Sequence, residues 1–140
     1  MTAAEIREFL GAGRTMTLGT HNADGSIHLA PMWYAVLDGQ IVMWTYARSQ
    51  KAVNLSRDAR LTALVEDGEE YDALRGVQLT GRAELVTDPA DVLGLGAAIH
   101  AKYHPGDTDA EAGVRRQAAK RVGIRLVADR TVSWDHRKLG

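Results

Sequence analysis

Apolar residues recur along this chain with two periods, and the switches between them divide it into elements. Ile6, Phe9 and Leu10 share one helical face behind Thr2 and Glu5, which have capping-box spacing, and Gly11 and Gly13 stop this short lid helix. Period two takes over at Met16 and Leu18, which alternate with Thr15, Thr17 and Gly19, and Asn22 to Gly25 has the chemistry of a hairpin turn. A strand then runs from Ser26 to Leu37 through Ile27, Leu29, Trp33 and Ala35. Pro31 cannot donate a ladder hydrogen bond, so it implies an edge or a bulge, with a kink that aims Met32 and Trp33. After the Asp38-Gly39 turn, Gln40 to Tyr46 is apolar on both faces, as expected of a strand that is central or covered on its outer side by a partner.

Ser49 offers a hydroxyl cap to a short helix from Gln50 to Asp58, with Val53 and Leu55 predicted to face inward. Arg48, Lys51, Arg57 and Arg60 crowd this segment. The exposed amides of its first turn, with Lys51 beside them, would attract an anion. The alternative is a connector whose cations are solvated and pair with Asp58. Leu61, Ala63 and Val65 form another short strand before the acidic loop Glu66 to Glu70. From Arg75 to Val86, Val77, Leu79, Ala83 and Leu85 share one face, and Gln78, Thr80, Arg82 and Glu84 the other. Asp88, Pro89 and Asp91 start a helix that carries Val92, Leu95, Ile99 and Tyr103 at helical spacing. Gly94 and Gly96 each weaken it by roughly 1 kcal/mol relative to alanine, so tertiary packing must hold it. A second helix is predicted from Thr108 to Arg121, and a last strand places Val122, Ile124, Leu126, Val132 and Trp134 on one face.

Short strands at hairpin spacing, with a helical insertion between the last two, predict a small antiparallel barrel with helices packed outside. The 140 residues, 45% of them hydrophobic, form a single domain from 1 to 140 with no composition break. A barrel this small has little room for a large cofactor, so a flat aromatic ligand is expected between two barrels, with Ile41 to Tyr46 as the dimerisation surface. With 17 Lys and Arg against 18 Asp and Glu, the chain lacks the basic excess of a general nucleic-acid binder. The absence of cysteine removes thiolate metal sites and cysteine nucleophiles. No metal site is expected either, because His100 and His104, one helical turn apart, lack a glutamate partner in the zincin pattern. No apolar run approaches membrane-spanning length, and a soluble cytoplasmic protein is the default expectation.

Five stretches in order carry a family resemblance: Gly13 to Gly25, His28 to Tyr34, Ser49 to Asp58, Arg75 to Ala83 and Ser133 to Lys138. Together they resemble the pyridoxamine phosphate oxidase-like flavoproteins, and within them the branch that uses the deazaflavin coenzyme F420. That resemblance implies a split antiparallel β-barrel with peripheral helices, mainly β in an α+β class, and a homodimer with cofactor sites along the subunit interface. It implies an oxidoreductase that passes hydride from reduced F420 to a conjugated small-molecule acceptor. An FMN-dependent enzyme of the same family, or a non-catalytic carrier of flavin, deazaflavin or haem, are the alternatives. Residue by residue, Lys51 would pair with the cofactor phosphate, Ser49 and the turn amides at Gln50 would donate to it, and Asn54 would brace the turn. Met32, Trp33, Trp44 and Thr45 would line the ring, and Tyr71 and Trp134 would come from the second subunit. No residue is assigned as the catalytic proton donor, for which Tyr34, Tyr46, His28 and His136 are candidates beside solvent.

Overall fold

The computed structural model describes residues 1–139. Its elements in chain order are α1 (Ala3–Ala12), β1 (Met16–His21), β2 (Ile27–Met32), β3 (Ala35–Leu37), β4 (Gln40–Tyr46), α2 (Gln50–Arg57) and β5 (Arg60–Asp67), followed by β6 (Arg75–Val86), α3 (Pro89–Tyr103), α4 (Glu111–Ala118) and β7 (Arg121–Asp135). Short 3₁₀ turns at Tyr71–Ala73 and His136–Lys138 precede β6 and follow β7.

All seven strands join one antiparallel sheet in the order β2-β1-β5-β6-β7-β4-β3. That order forces closure. β2 and β3 lie at opposite ends of the sheet, yet only Trp33 and Tyr34 separate them in the chain. Three steps of about 3.8 Å between successive Cα atoms cannot cross a flat sheet of this width, so the sheet must curl until its edges meet at that step. The break predicted at Pro31 falls instead after Met32, and Pro31 sits within β2 opposite Thr17. Because β2 is an edge strand, the missing N–H costs no ladder bond.

The interior of the curl is one apolar core built from alternate residues of every long strand, including Met16, Leu18, Met43, Val77 and Ile124, with Leu10 and Leu55 closing it from α1 and α2. A second cluster lies outside the sheet, where Val92, Leu95, Ile99 and Tyr103 of α3 cover Ala35, Val42 and Val86. This explains the two apolar faces of β4. Ile41 and Met43 point into the barrel, whereas Val42 is covered by the chain's own helix rather than by a partner. Two glycines permit that contact. A Cβ on Gly96 of α3 would collide with the Trp44 indole, and one on Gly123 of β7 would collide with Leu95. The helix weakness that Gly96 implies is therefore exchanged for close helix–sheet packing.

The final strand differs from its prediction in one respect. β6 and β7 pair in continuous register except between Thr80 and Gly81, which face Arg130 and Ala128, so Asp129 is an extra residue on β7. A one-residue bulge reverses every side chain beyond it. Ile124 and Leu126 remain in the core, but Val132 and Trp134 turn to the outer face opposite Gln78 and Gly76, and Ser133 and Asp135 turn inward. Gly81 allows the bulge because a Cβ there would strike the Val127 carbonyl. The second insertion helix is also shorter than predicted, and Arg121 already belongs to β7.

Candidate functional site

The turn from β4 into α2 is built by side chains that fold back on it. Ser49 caps α2, its Oγ accepting the Ala52 amide at 3.2 Å and a hydrogen bond from Thr45 Oγ1 at 3.1 Å. Asn54 is fully buried and links α2 to the β1–β2 turn. Its Nδ2 donates to Thr20 Oγ1 at 3.1 Å and Asn22 Oδ1 at 2.9 Å, and its Oδ1 accepts from Gln50 Nε2 at 2.8 Å and Arg57 Nη2 at 3.1 Å. Arg57 also donates to the His21 carbonyl at 2.7 Å. Ala52 and Leu55 face the core, whereas Val53, predicted inward, is exposed. Arg60 pairs with Asp58 at 2.7 Å, which removes both from the candidate anion site.

What remains unpaired at this turn is cationic. Among the described residues Arg48, Lys51, Lys120 and Arg121 form no ion pair, and the amides of Gln50 and Lys51 make no hydrogen bond. The Ala47 amide donates to the Lys120 carbonyl at 3.0 Å, which draws the start of β7 beside the turn. There the Arg121 guanidinium lies 5.0 Å from the Trp44 ring and 4.2 Å from the Tyr46 ring. Spare N–H groups at a helix N-terminus and a lysine without a carboxylate partner compose a site that fits a phosphate.

The other candidates are distributed over the fold. Met32 is buried at the end of β2, and Trp33 next to it is 52% exposed with its indole stacked on Tyr103. Thr45 is buried behind Ser49, while Trp44 lies on the opposite side of β4 against Gly96. Tyr71 and Trp134 stand elsewhere. Trp134 packs over Gly76 at one end of the β6–β7 ribbon, whereas Arg121, which pairs with Tyr46 beside the turn, begins β7 at the other end. Thirteen residue steps of strand separate them, roughly 40 Å along the chain. Within one chain Lys51 and Trp134 are not brought together. His136 accompanies Tyr71, its Nδ1 lying 2.7 Å from the Tyr71 carbonyl, and His28 Nδ1 is buried without a partner.

The sequence pattern named Trp33 and Tyr34 but not Tyr103, Lys102 and Arg14 as the side chains gathered around that step. Tyr103 donates its hydroxyl hydrogen to the Arg14 carbonyl at 2.6 Å and accepts the Tyr34 amide at 3.2 Å. Lys102 Nζ is buried without a hydrogen-bond partner, 3.7 Å from the Tyr34 ring centre. Burial, with the charge of Arg14 adding to it, pushes the Lys102 ammonium down to about 8. Burial likewise raises the Tyr34 phenol above its ordinary value, with Tyr103 adding to the effect. Helical spacing marked Tyr103 only as a core position, and no local signal shows that α3 ends beside the step.

Two grooves complete the surface. One of about 730 Å³ runs beneath α1 past Glu8, Arg14, Glu66 and Arg75, and one of about 450 Å³ separates α3 from α4. Neither is lined by Lys51, which is half-buried at the start of α2. Among the described residues no three His, Asp or Glu side chains could hold a metal ion, and no helix is long and apolar enough to cross a membrane.

Comparison with known proteins agrees with this architecture. The conserved hypothetical protein Rv2991 from Mycobacterium tuberculosis shares 50% identity and superposes with a TM-score of 0.95, over 100% of this chain and 88% of that one. An F420 reductase is similar in fold at 20% identity, with a TM-score of 0.71 over 90% of this chain and 94% of its own. HutZ, the haem storage protein from Vibrio cholerae, has the same fold at 15% identity, with a TM-score of 0.74 over 93% and 92% of the two chains. No curated protein matches the chain. The family model described as pyridoxamine 5'-phosphate oxidase matches residues 2–135, nearly the whole sequence. With the curled antiparallel sheet, that match places this chain in the pyridoxamine 5'-phosphate oxidase family.

Proposed function

We propose that this protein is a homodimeric oxidoreductase that binds a phosphate-bearing tricyclic cofactor, reduced F420 before FMN, and passes a hydride to a conjugated small-molecule acceptor. The observation that carries the reading is the start of α2, where amides at Gln50 and Lys51 without a hydrogen bond meet the Lys51 ammonium, which forms no ion pair among the described residues. When bound, the deazaflavin supplies the hydride, and the chain supplies binding, orientation and exclusion of water. Lys51 holds the phosphate as a point charge, Ser49 and Thr45 keep the turn in shape, and Asn54 prevents it from moving relative to β1. Met32 and Trp33 stand at the edge-to-edge step where a ring can be received.

The same reading requires a second copy, because Tyr71 and Trp134 lie at the far end of the β6–β7 ribbon from Lys51. The outer side of β4 is occupied by α3, so the copy is assigned to the outer face of β2, β1, β5 and β6. There Leu29, 68% exposed, and Ile27, 52% exposed, flank Gly19, and Val132 lies beyond them on β7.

Titration of the purified protein with FMN and with F420, followed by turnover of reduced F420 against enones and quinones, tests the proposal. F420 binding with acceptor-dependent oxidation supports it. Tight FMN binding without F420 binding replaces it with the FMN enzyme, and tight binding without turnover of any acceptor leaves a carrier.

A further inference from the structure

Trp33 is more than half exposed, yet its indole is fixed. It lies parallel to the Tyr103 ring, with centroids 4.0 Å apart and planes 3° from coplanar. Tyr103 is itself immobilised: it is 7% exposed at the last position of α3, and its hydroxyl is bonded on one side to Arg14 and on the other to Tyr34. The Arg14 guanidinium lies 4.5 Å from the same ring. An exposed tryptophan on a two-residue connection would otherwise sample several rotamers, and immobilising it on binding would cost affinity. One indole face is spent on Tyr103, and the His104 ring stands tilted to it at 5.9 Å, while an exposure of 52% leaves indole surface for a planar ligand.

We infer that Tyr103 is a positioning residue, holding Trp33 as a fixed aromatic platform whose open face receives the planar ring of the ligand. This rests on the functional reading above and extends it to α3, an element that supplies no phosphate contact. Catalytic groups are not involved. Tyr103 acts through Trp33, and its hydroxyl serves only to orient its own ring.

The test is a double-mutant cycle read by the dissociation constants for FMN and oxidised F420. Trp33→Leu and Tyr103→Leu are each expected to weaken binding by at least tenfold, and the double variant to bind no more weakly than Trp33→Leu alone. Tyr103→Phe, which keeps the stack, should stay within about threefold of the unaltered protein. Unchanged binding by Tyr103→Leu, or losses that multiply in the double variant, overturns the inference. Should Tyr103→Leu fail to fold, Tyr103→Met, which keeps the apolar volume and removes the stack, replaces it in the cycle: a tenfold loss that does not add to that of Trp33→Leu is the expected result, and unchanged binding overturns the inference. If the unaltered protein binds neither cofactor, the functional reading fails and takes this inference with it. Binding that ignores both Trp33 and Tyr103 sinks the inference alone.

Discussion

The two ends of the β6–β7 ribbon carry similar numbers of cations and treat them in opposite ways. At the end marked by Arg75 and Asp135, three cations have their own carboxylates: Arg75 with Asp67 at 2.6 Å, Arg137 with Asp135 at 2.7 Å and Lys138 with Glu5 at 2.8 Å. These pairs fasten the acidic loop, the C-terminal turn and α1 to the sheet. At the opposite end Arg48, Lys51, Lys120 and Arg121 have none, although the chain as a whole is close to neutral. A cation already satisfied within the fold is part of the fold. One left unsatisfied beside spare helix amides is free to take an anion from outside the chain. The difference separates a structural end from the end at which cofactor binding is proposed, here called the binding end.

The largest effect that can break this division belongs to Asn54, the hinge pin of the binding end. Asn54→Ala removes four side-chain hydrogen bonds and leaves the Thr20 hydroxyl buried without one. It should destabilise the protein by about 2–4 kcal/mol in urea unfolding. A loss below about 0.5 kcal/mol would mean that α2 is held by Ala52 and Leu55 alone. Lys51→Ala makes the complementary case. It leaves the urea midpoint where it was and weakens the cofactor by roughly 1.5–3 kcal/mol, because a charge-assisted bond is lost while no buried partner is stranded. Added salt should weaken the unaltered protein's binding more steeply than the variant's. Unchanged affinity removes Lys51 from the site. At the structural end Arg137→Gln reverses the pattern and lowers the urea midpoint, since the Asp135 carboxylate, held well below its usual range by the Arg137 hydrogen bonds, then stays in place without its cation. A midpoint unaffected by Arg137→Gln would make that end as dispensable as an ordinary surface pair.

How far the sequence carries this picture depends on how local each cause is. The α2 cap is written in adjacent residues, and Ser49 sits where the pattern puts it. The alternation of β6 is likewise local, and Val77, Leu79 and Ala83 are buried with Gln78, Thr80, Arg82 and Glu84 exposed. What periodicity could not supply is any effect that depends on a distant strand. The Asp129 bulge, which sends Val132 and Trp134 outward, exists only as a mismatch between β6 and β7. The second apolar face of β4 reads identically whether a partner or α3 covers it, and only the assembled sheet shows α3 there. The candidate site divides in the same way. Its phosphate-type turn is continuous in sequence, but Trp33 and Tyr103 lie seventy residues apart and meet because the barrel closes.

Lys102 offers the smallest effect and the sharpest contrast, since it is an unpaired cation that points into the protein instead of out of it. Its Nζ has no hydrogen-bond partner and rests on the Tyr34 ring with Arg14 nearby. Folding therefore disfavours its charged form, and the native ammonium titrates at about 8, against an ordinary lysine value of 10.5 in the unfolded chain. Below pH 8 both states hold the proton and the penalty is present in full. Between about pH 8 and 10.5 the native state has released it and the unfolded state has not, so unfolding takes up a proton and stability rises with pH. Solvent screening at this partly exposed residue reduces the gain to about 1 kcal/mol. Lys102→Met keeps most of the stem's packing and removes the titration, so the difference in urea stability between the two proteins should shrink by that amount as pH rises from 7.5 to 10.5. A constant difference across that range would show that the ammonium is solvated in the native state. Lys102 would then belong with the outward cations of the binding end, and the rule that separates the two kinds of unpaired charge would need another criterion than burial.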